Sequence, residues 1–90
     1  MSEVRVIITV TGRVQGVGYR HAALLQARSL GITGFTRNLP DGTVYMEAQG
    51  DSDVVSSFIE WCKSGSSRAF VELVEYSYHP LRDFTIFQIR

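Results

Sequence analysis

Gly12-Arg13-Val14-Gln15-Gly16-Val17-Gly18-Tyr19-Arg20 is where the pattern of this chain changes from strand to helix. Upstream, residues 4–11 are β-rich, and Val4, Val6, Ile8 and Val10 share one face of a period-two alternation. Downstream, Tyr19, Ala23, Ala27 and Leu30 fall on one stripe of an amphipathic helix, with Gly31 placed to stop it. Residues 32–39 and 43–49 read as two further strands, and Asp41-Gly42 between them is a strong hairpin signal. Asp51 or Ser52 is suited to cap a second helix whose apolar face is Val54, Val55, Phe58, Ile59 and Cys62. Residues 64–67 read as a loop, and residues 69–76 and 84–89 as two closing strands around a turn at His79 and Pro80. The order β-α-β-β-α-β plus a short C-terminal strand predicts an α+β fold, the split βαβ sandwich, with an antiparallel sheet and two helices on one face. No repeat or linker interrupts it, so residues 1–90 are expected to form a single domain.

Composition narrows the function. At 44% hydrophobic and 20% charged residues the chain has the makeup of a folded globule. Nine Lys and Arg balance nine Asp and Glu, which argues against broad binding to nucleic acid or anionic membranes. An anion must then be held by a local constellation. Lys63 is the only lysine, and the other basic residues are arginines, which grip phosphate or carboxylate bidentately. One cysteine, Cys62, excludes an internal disulfide, and no apolar run reaches membrane-spanning length. A soluble cytoplasmic monomer without a signal peptide is the expectation.

The glycine stretch joins a strand to a helix, where the first helical N–H groups have no intrahelical partner and the dipole favours an anion. Gly16 and Gly18 let successive amides turn inward as a nest, and Arg20 in the first turn adds a forked, charge-assisted pair of hydrogen bonds. The combination suits a compact dianion such as phosphate. No Lys-Ser or Lys-Thr follows the last glycine, so this is no Walker A loop, and the dinucleotide spacing fails at His21.

GRVQGVGYR, residues 12–20, closely resembles the signature of the acylphosphatase family, small enzymes that hydrolyse carboxyl-phosphate mixed anhydrides. A second block, GITGFTRNLPDG at residues 31–42, and the Phe-x-Ile-Arg ending at residues 87–90 extend the resemblance over nearly the whole chain. Phe35 and Thr36 stand where many members have Trp-Val, and the loop before Ala69 lacks a common Gly-Pro pair. The family fold is the same ferredoxin-like split βαβ sandwich. The resemblance implies that Arg20 and the amides of Val14, Gln15, Gly16, Val17, Gly18 and Tyr19 bind the phosphoryl group, and that Asn38 orients the attacking water. It implies a small acyl phosphate substrate, with no cofactor and no metal. By its position alone Asn38 also suits a purely structural part in the turn before Asp41-Gly42.

Other signals are weaker. Residues 62–68, CKSGSSR, have the C-x-x-G-x-x-R spacing of a cysteine phosphatase loop. Cys62 is expected at a helix C-terminus, however, where the dipole disfavours a thiolate, so a buried or half-buried structural cysteine is the better reading. His21 lies about 100° around the helix from Arg20 and is expected at the surface. His79 falls in a turn, and Asp51 and Asp53 read as helix-start residues rather than metal ligands. Arg37 is expected on the opposite sheet face from Asn38. RNA-recognition domains share the element order, but residues 43–48 lack their basic and aromatic signature. An acylphosphatase-like domain that only binds or regulates, as in larger carbamoyl-transfer proteins, is the closer rival. The 90-residue length together with Arg20 and Asn38 favours an enzyme.

Overall fold

The computed structural model describes residues 2–90. β1 (Glu3–Arg13) is an interior strand of the sheet, and its alternation puts Val6, Ile8 and Val10 fully inside. β3 (Val44–Asp51) runs antiparallel beside it, with Ala48, Met46 and Val44 opposite those three residues. Both strands therefore turn apolar side chains to one face. β2 (Thr33–Asn38) pairs antiparallel with β3, and β4 (Phe70–His79) antiparallel with β1. β5 (Phe87–Ile89) completes a sheet of order β4-β1-β3-β2-β5.

Two helices cover the apolar face. α1 (Tyr19–Ser29) packs over β2 and β5, and α2 (Ser52–Cys62) over β1 and β3. The spacing of Tyr19, Ala23 and Ala27 makes them the buried stripe of α1, and Val55, Phe58, Ile59 and Cys62 form that of α2. Phe58 stacks on Trp61 at 5.7 Å and meets Phe87 edge-on at 6.0 Å, so one aromatic group ties α2 to the far edge strand. Full burial of a side chain of this size stabilises by about 1.5–3 kcal/mol. α1 is closed by Leu30 and then Gly31 at φ +71°, and the Ile32 N–H reaches back to the Ala27 carbonyl at 2.9 Å.

Three sequence expectations change. The sheet is mixed rather than antiparallel, because β5 runs parallel to β2, with Gly34 beside Phe87 and Thr36 beside Ile89. The cause is residues 80–86, which form a strap across the sheet instead of a tight turn. β4 ends beside Arg5, and the strap carries the chain from that edge to the β2 edge, so β5 enters in the direction of β2. The closing strands accordingly span Phe70–His79 and Phe87–Ile89 rather than 69–76 and 84–89. Finally, Asp51 is the N-cap of α2 by position, but its side chain makes no capping hydrogen bond.

Candidate phosphate-binding and catalytic site

The loop at residues 14–18 leaves the end of β1 and runs directly into α1, whose N-cap is Gly18. Gly16 has φ +74° and Gly18 φ +78°, while no described non-glycine residue has positive φ. Residues 15–19 therefore alternate in the sign of φ, the pattern that turns successive N–H groups toward one side as a nest. An L side chain at either glycine would sit in the sparsely allowed left-handed region. Among the described residues, no N–H of residues 15–20 donates to a protein acceptor; the first amide to do so is Ala22, to the Gly18 carbonyl at 3.0 Å. Unpaired donors and the positive end of the α1 dipole thus coincide.

Side chains hold this loop in place. Gln15 Nε2 donates to the Leu39 carbonyl at 2.8 Å and the Thr43 carbonyl at 2.9 Å, docking the loop on the β2–β3 hairpin. Ser66 Oγ donates to the Val17 carbonyl at 2.9 Å, and the buried Tyr19 hydroxyl donates to the Cys62 carbonyl at 2.7 Å. Tyr19 also packs on Trp61 at 5.6 Å, and Val14 is buried in the core. The hairpin is itself braced. Asp41 Oδ1 accepts from the Thr43 hydroxyl at 2.6 Å and the Thr43 N–H at 3.0 Å, and these bonds hold the Asp41 carboxyl below its usual range.

Arg20, the second residue of α1, is half-buried, and its guanidinium makes no hydrogen bond or ion pair with any described residue. Asn38 closes β2 opposite Val44, on the helix-side face, one residue before the Leu39 carbonyl that Gln15 grips. Its Oδ1 is buried without a partner, whereas Nδ2 is not enclosed in this way. The Gln15 bonds therefore bring the loop up against the strand end that carries Asn38. Arg37 points to the other face, as expected, and lies over the Tyr45 ring at 5.3 Å.

The remaining candidates fall away. His21 and His79 are exposed, and His79 shares a 2.8 Å hydrogen bond with Ser77. Cys62 is fully buried at the C-terminal end of α2, and burial pushes its thiol up to about 12, so it stays neutral. Among the described residues no three His, Cys, Asp or Glu side chains gather in a way that could hold a metal ion. Sequence reasoning missed the latching by the Gln15 side chain, the Ser66 hydroxyl and the Tyr19 hydroxyl. All three donate to backbone carbonyls, which carry no residue signature. Gln15 lies inside the glycine motif, so the motif itself marked it, but nothing distinguishes Ser66 from Ser64 and Ser67.

Comparison with known proteins adds independent findings. The acylphosphatase family model matches residues 6–89. An acylphosphatase of Anaeromyxobacter dehalogenans (strain 2CP-C) is 43% identical over 97% of this chain and 95% of its own length. The solved acylphosphatase of Coxiella burnetii superposes with a TM-score of 0.95 at 33% identity, over 98% of this chain and 93% of that one. That of Bacillus subtilis gives 0.94 at 32%, over 97% and 98%. Motif, fold and full-length similarity agree: the chain belongs to the acylphosphatase family.

Proposed function

We propose that this chain hydrolyses carboxyl-phosphate anhydrides by direct attack of a water on phosphorus. The phosphoryl oxygens lie on Arg20 and the main-chain N–H groups of Val14, Gln15, Gly16, Val17, Gly18 and Tyr19, and Asn38 directs the water. Membership of the acylphosphatase family supports the reaction class. The observation that carries the assignment of groups is the coincidence of unpaired N–H donors at residues 15–20 with a partnerless guanidinium in the next turn.

Phosphoryl transfer passes through a metaphosphate-like transition state, with charge spread over the equatorial oxygens, so positioning and electrostatic stabilisation do most of the work. A rigid ring of amides and one guanidinium supplies that field without reorganising. The water oxygen bonds to phosphorus, the P–O bond to the acyl group breaks, and the carboxylate leaves with the electron pair. The water's proton passes to a phosphate oxygen. A carboxylate is a weak base, so its departure needs no strong general acid, and the site needs neither histidine nor carboxylate. Asn38 adds no negative charge to repel the substrate while offering an N–H to hold the water.

Steady-state kinetics on benzoyl phosphate, with EDTA present, test the proposal. Asn38→Ala is expected to collapse kcat and leave KM nearly constant, because it removes a group needed only for attack. Turnover of Asn38→Ala at the wild-type rate refutes the water-directing role, and loss of wild-type activity in EDTA refutes a metal-independent reaction.

A further inference from the structure

The side chain of Gln15 makes two bonds that the hairpin it reaches does not need for its own closure. Nε2 donates to the Leu39 carbonyl at 2.8 Å and to the Thr43 carbonyl at 2.9 Å. Both acceptors are already served within the hairpin. The Gly42 N–H donates to the Leu39 carbonyl at 3.1 Å, and the Leu39 N–H to the Thr43 carbonyl at 2.9 Å. Asp41 braces the same turn through the hydroxyl and N–H of Thr43. Gln15 therefore takes the second lone pair of each carbonyl, and what these two bonds add is a fixed place for the loop.

That place is next to Asn38. Asn38 and Val44 are the last pair of β2 and β3, and Leu39 and Thr43 are the following residue of one strand and the preceding residue of the other. Gln15 thus grips both strands one residue, about 3.3 Å, beyond Asn38. Each of the two Nε2 hydrogens has its own acceptor, which fixes the carboxamide in the fork between the strands. The rest of the loop is tied to other elements. Tyr19 bonds to Cys62 at the end of α2, Val17 accepts from Ser66 in the segment after α2, and Val14 is buried in the core. Among the described residues no other hydrogen bond joins residues 14–18 to β2, β3 or the turn between them.

We propose that the Gln15 side chain is a positioning residue for hydrolysis, setting the spacing between the phosphate nest and the Asn38 carboxamide. The inference rests on the reading that Asn38 directs the attacking water. The nest, shaped by its glycines and continued by α1, fixes phosphorus, and the end of β2 fixes the water. In-line attack requires these two parts to keep one spacing, and Gln15 is the side chain bonded across it. A shift of about 1 Å between reacting groups costs on the order of a hundredfold in rate. The quantity governed by the Gln15 carboxamide is therefore kcat, while the nest amides and Arg20 govern phosphate affinity.

The test compares Gln15→Met, Gln15→Glu, Asn38→Ala and the double variant Q15M/N38A on benzoyl phosphate. Gln15→Met keeps the main-chain N–H and the length of the side chain and removes both donors. Its kcat is expected to fall between about tenfold and a hundredfold, the effect of misplaced reacting groups. KM and the inhibition constant of inorganic phosphate stay within about twofold, because the groups that hold phosphate remain. Gln15→Glu turns an acceptor-only carboxylate toward two carbonyl oxygens, so its kcat falls below that of Gln15→Met. In the Asn38→Ala background Gln15→Met has no further effect on kcat, because the group it positions is gone. If Gln15→Met does not fold, Gln15→Ala is read in the same way. Wild-type kcat in Gln15→Met overturns the inference, as does a Gln15→Glu variant faster than Gln15→Met. So does phosphate binding weakened as much as kcat, or an undiminished loss in the Asn38→Ala background. Collapse in Asn38→Ala without any change in Gln15→Met removes the role of Gln15 alone, whereas wild-type turnover in Asn38→Ala removes both readings.

Discussion

The loop at residues 14–18 and the strap at residues 80–86 are both irregular segments lying against the same sheet, and each is served by an arginine. Around the strap the side chains of Arg5, Glu47 and Gln49 are all paired. Arg5 Nη1 pairs with Glu47 Oε1 at 2.7 Å, and Arg5 Nε donates to the Pro80 carbonyl at 2.6 Å. Glu47 Oε2 accepts from the Tyr45 hydroxyl at 2.7 Å, and Gln49 makes two bonds to the Arg82 backbone, at 2.7 and 2.9 Å. In the loop the N–H groups of residues 15–20 and the Arg20 guanidinium have no partner among the described residues. Buried charge that is paired and bonded holds a structure together, whereas donors left unpaired contribute nothing to folding and keep their full capacity for a ligand. One chain thus uses the same residue type for two opposite purposes.

The comparison breaks most directly at the two arginines. Arg20→Ala is expected to lower kcat/KM by about 10³-fold or more, the scale of lost electrostatic stabilisation at a phosphoryl group. Both kcat and KM suffer, because Arg20 meets phosphate in the ground state and the transition state, and Tm stays at or above that of the parent. Arg5→Ala is expected to do the reverse. It strands the buried Glu47 carboxylate and costs about 3–5 kcal/mol in urea unfolding, with kcat and KM of the folded fraction unchanged. A large activity loss in Arg5→Ala, or a large stability loss in Arg20→Ala, would erase the distinction.

The same contrast separates what the sequence revealed from what it hid. The loop was legible because its signals are local. Glycines at 16 and 18 announce positive φ, the period switches from two to 3.6 at Tyr19, and the arginine follows within one turn. Asn38 came only with the longer resemblance, since an asparagine before Asp-Gly reads equally well as a turn residue. The strap was illegible because residues 80–86 carry no periodicity and their partners are remote in sequence. Arg5, Glu47 and Gln49 occupy the polar positions of β1 and β3, which alternation alone assigns to solvent. Only the crossing chain buries them, and with it come the parallel pairing of β5 and the T-shaped contact of Phe84 with Phe35.

A smaller effect sharpens the account of the loop. An added Cβ at Gly18 meets no atom within 4 Å, so any effect of Gly18→Ala comes from its φ of +78° and not from crowding. Holding alanine there costs about 1–2 kcal/mol. The loop can relieve that strain by turning an amide out of the nest, and the expected result is a raised KM and weaker phosphate inhibition with little change in kcat of the saturated enzyme. A kcat loss as deep as that of Asn38→Ala would mean that the amides and the water site do not act separately.

The smallest effect concerns Ser66, whose hydroxyl reaches from the loop after α2 to the Val17 carbonyl, the one latch that comes from outside the β2–β3 hairpin and the core. Ser66→Ala removes one neutral, partly buried hydrogen bond, worth about 0.5–1.5 kcal/mol. How that loss divides is informative. Gln15 and Tyr19 still bind the loop at both ends, so the released segment is only the arc between them, where Gly16 and Gly18 lie. The missing order must then be supplied when phosphate binds, and titration calorimetry is expected to show phosphate affinity reduced by about threefold to tenfold, the same free energy re-expressed as binding. Reduced Tm with unchanged phosphate affinity would place the Ser66 bond with the strap, as packing alone. Reduced affinity with unchanged Tm would place it with the nest, as preorganisation.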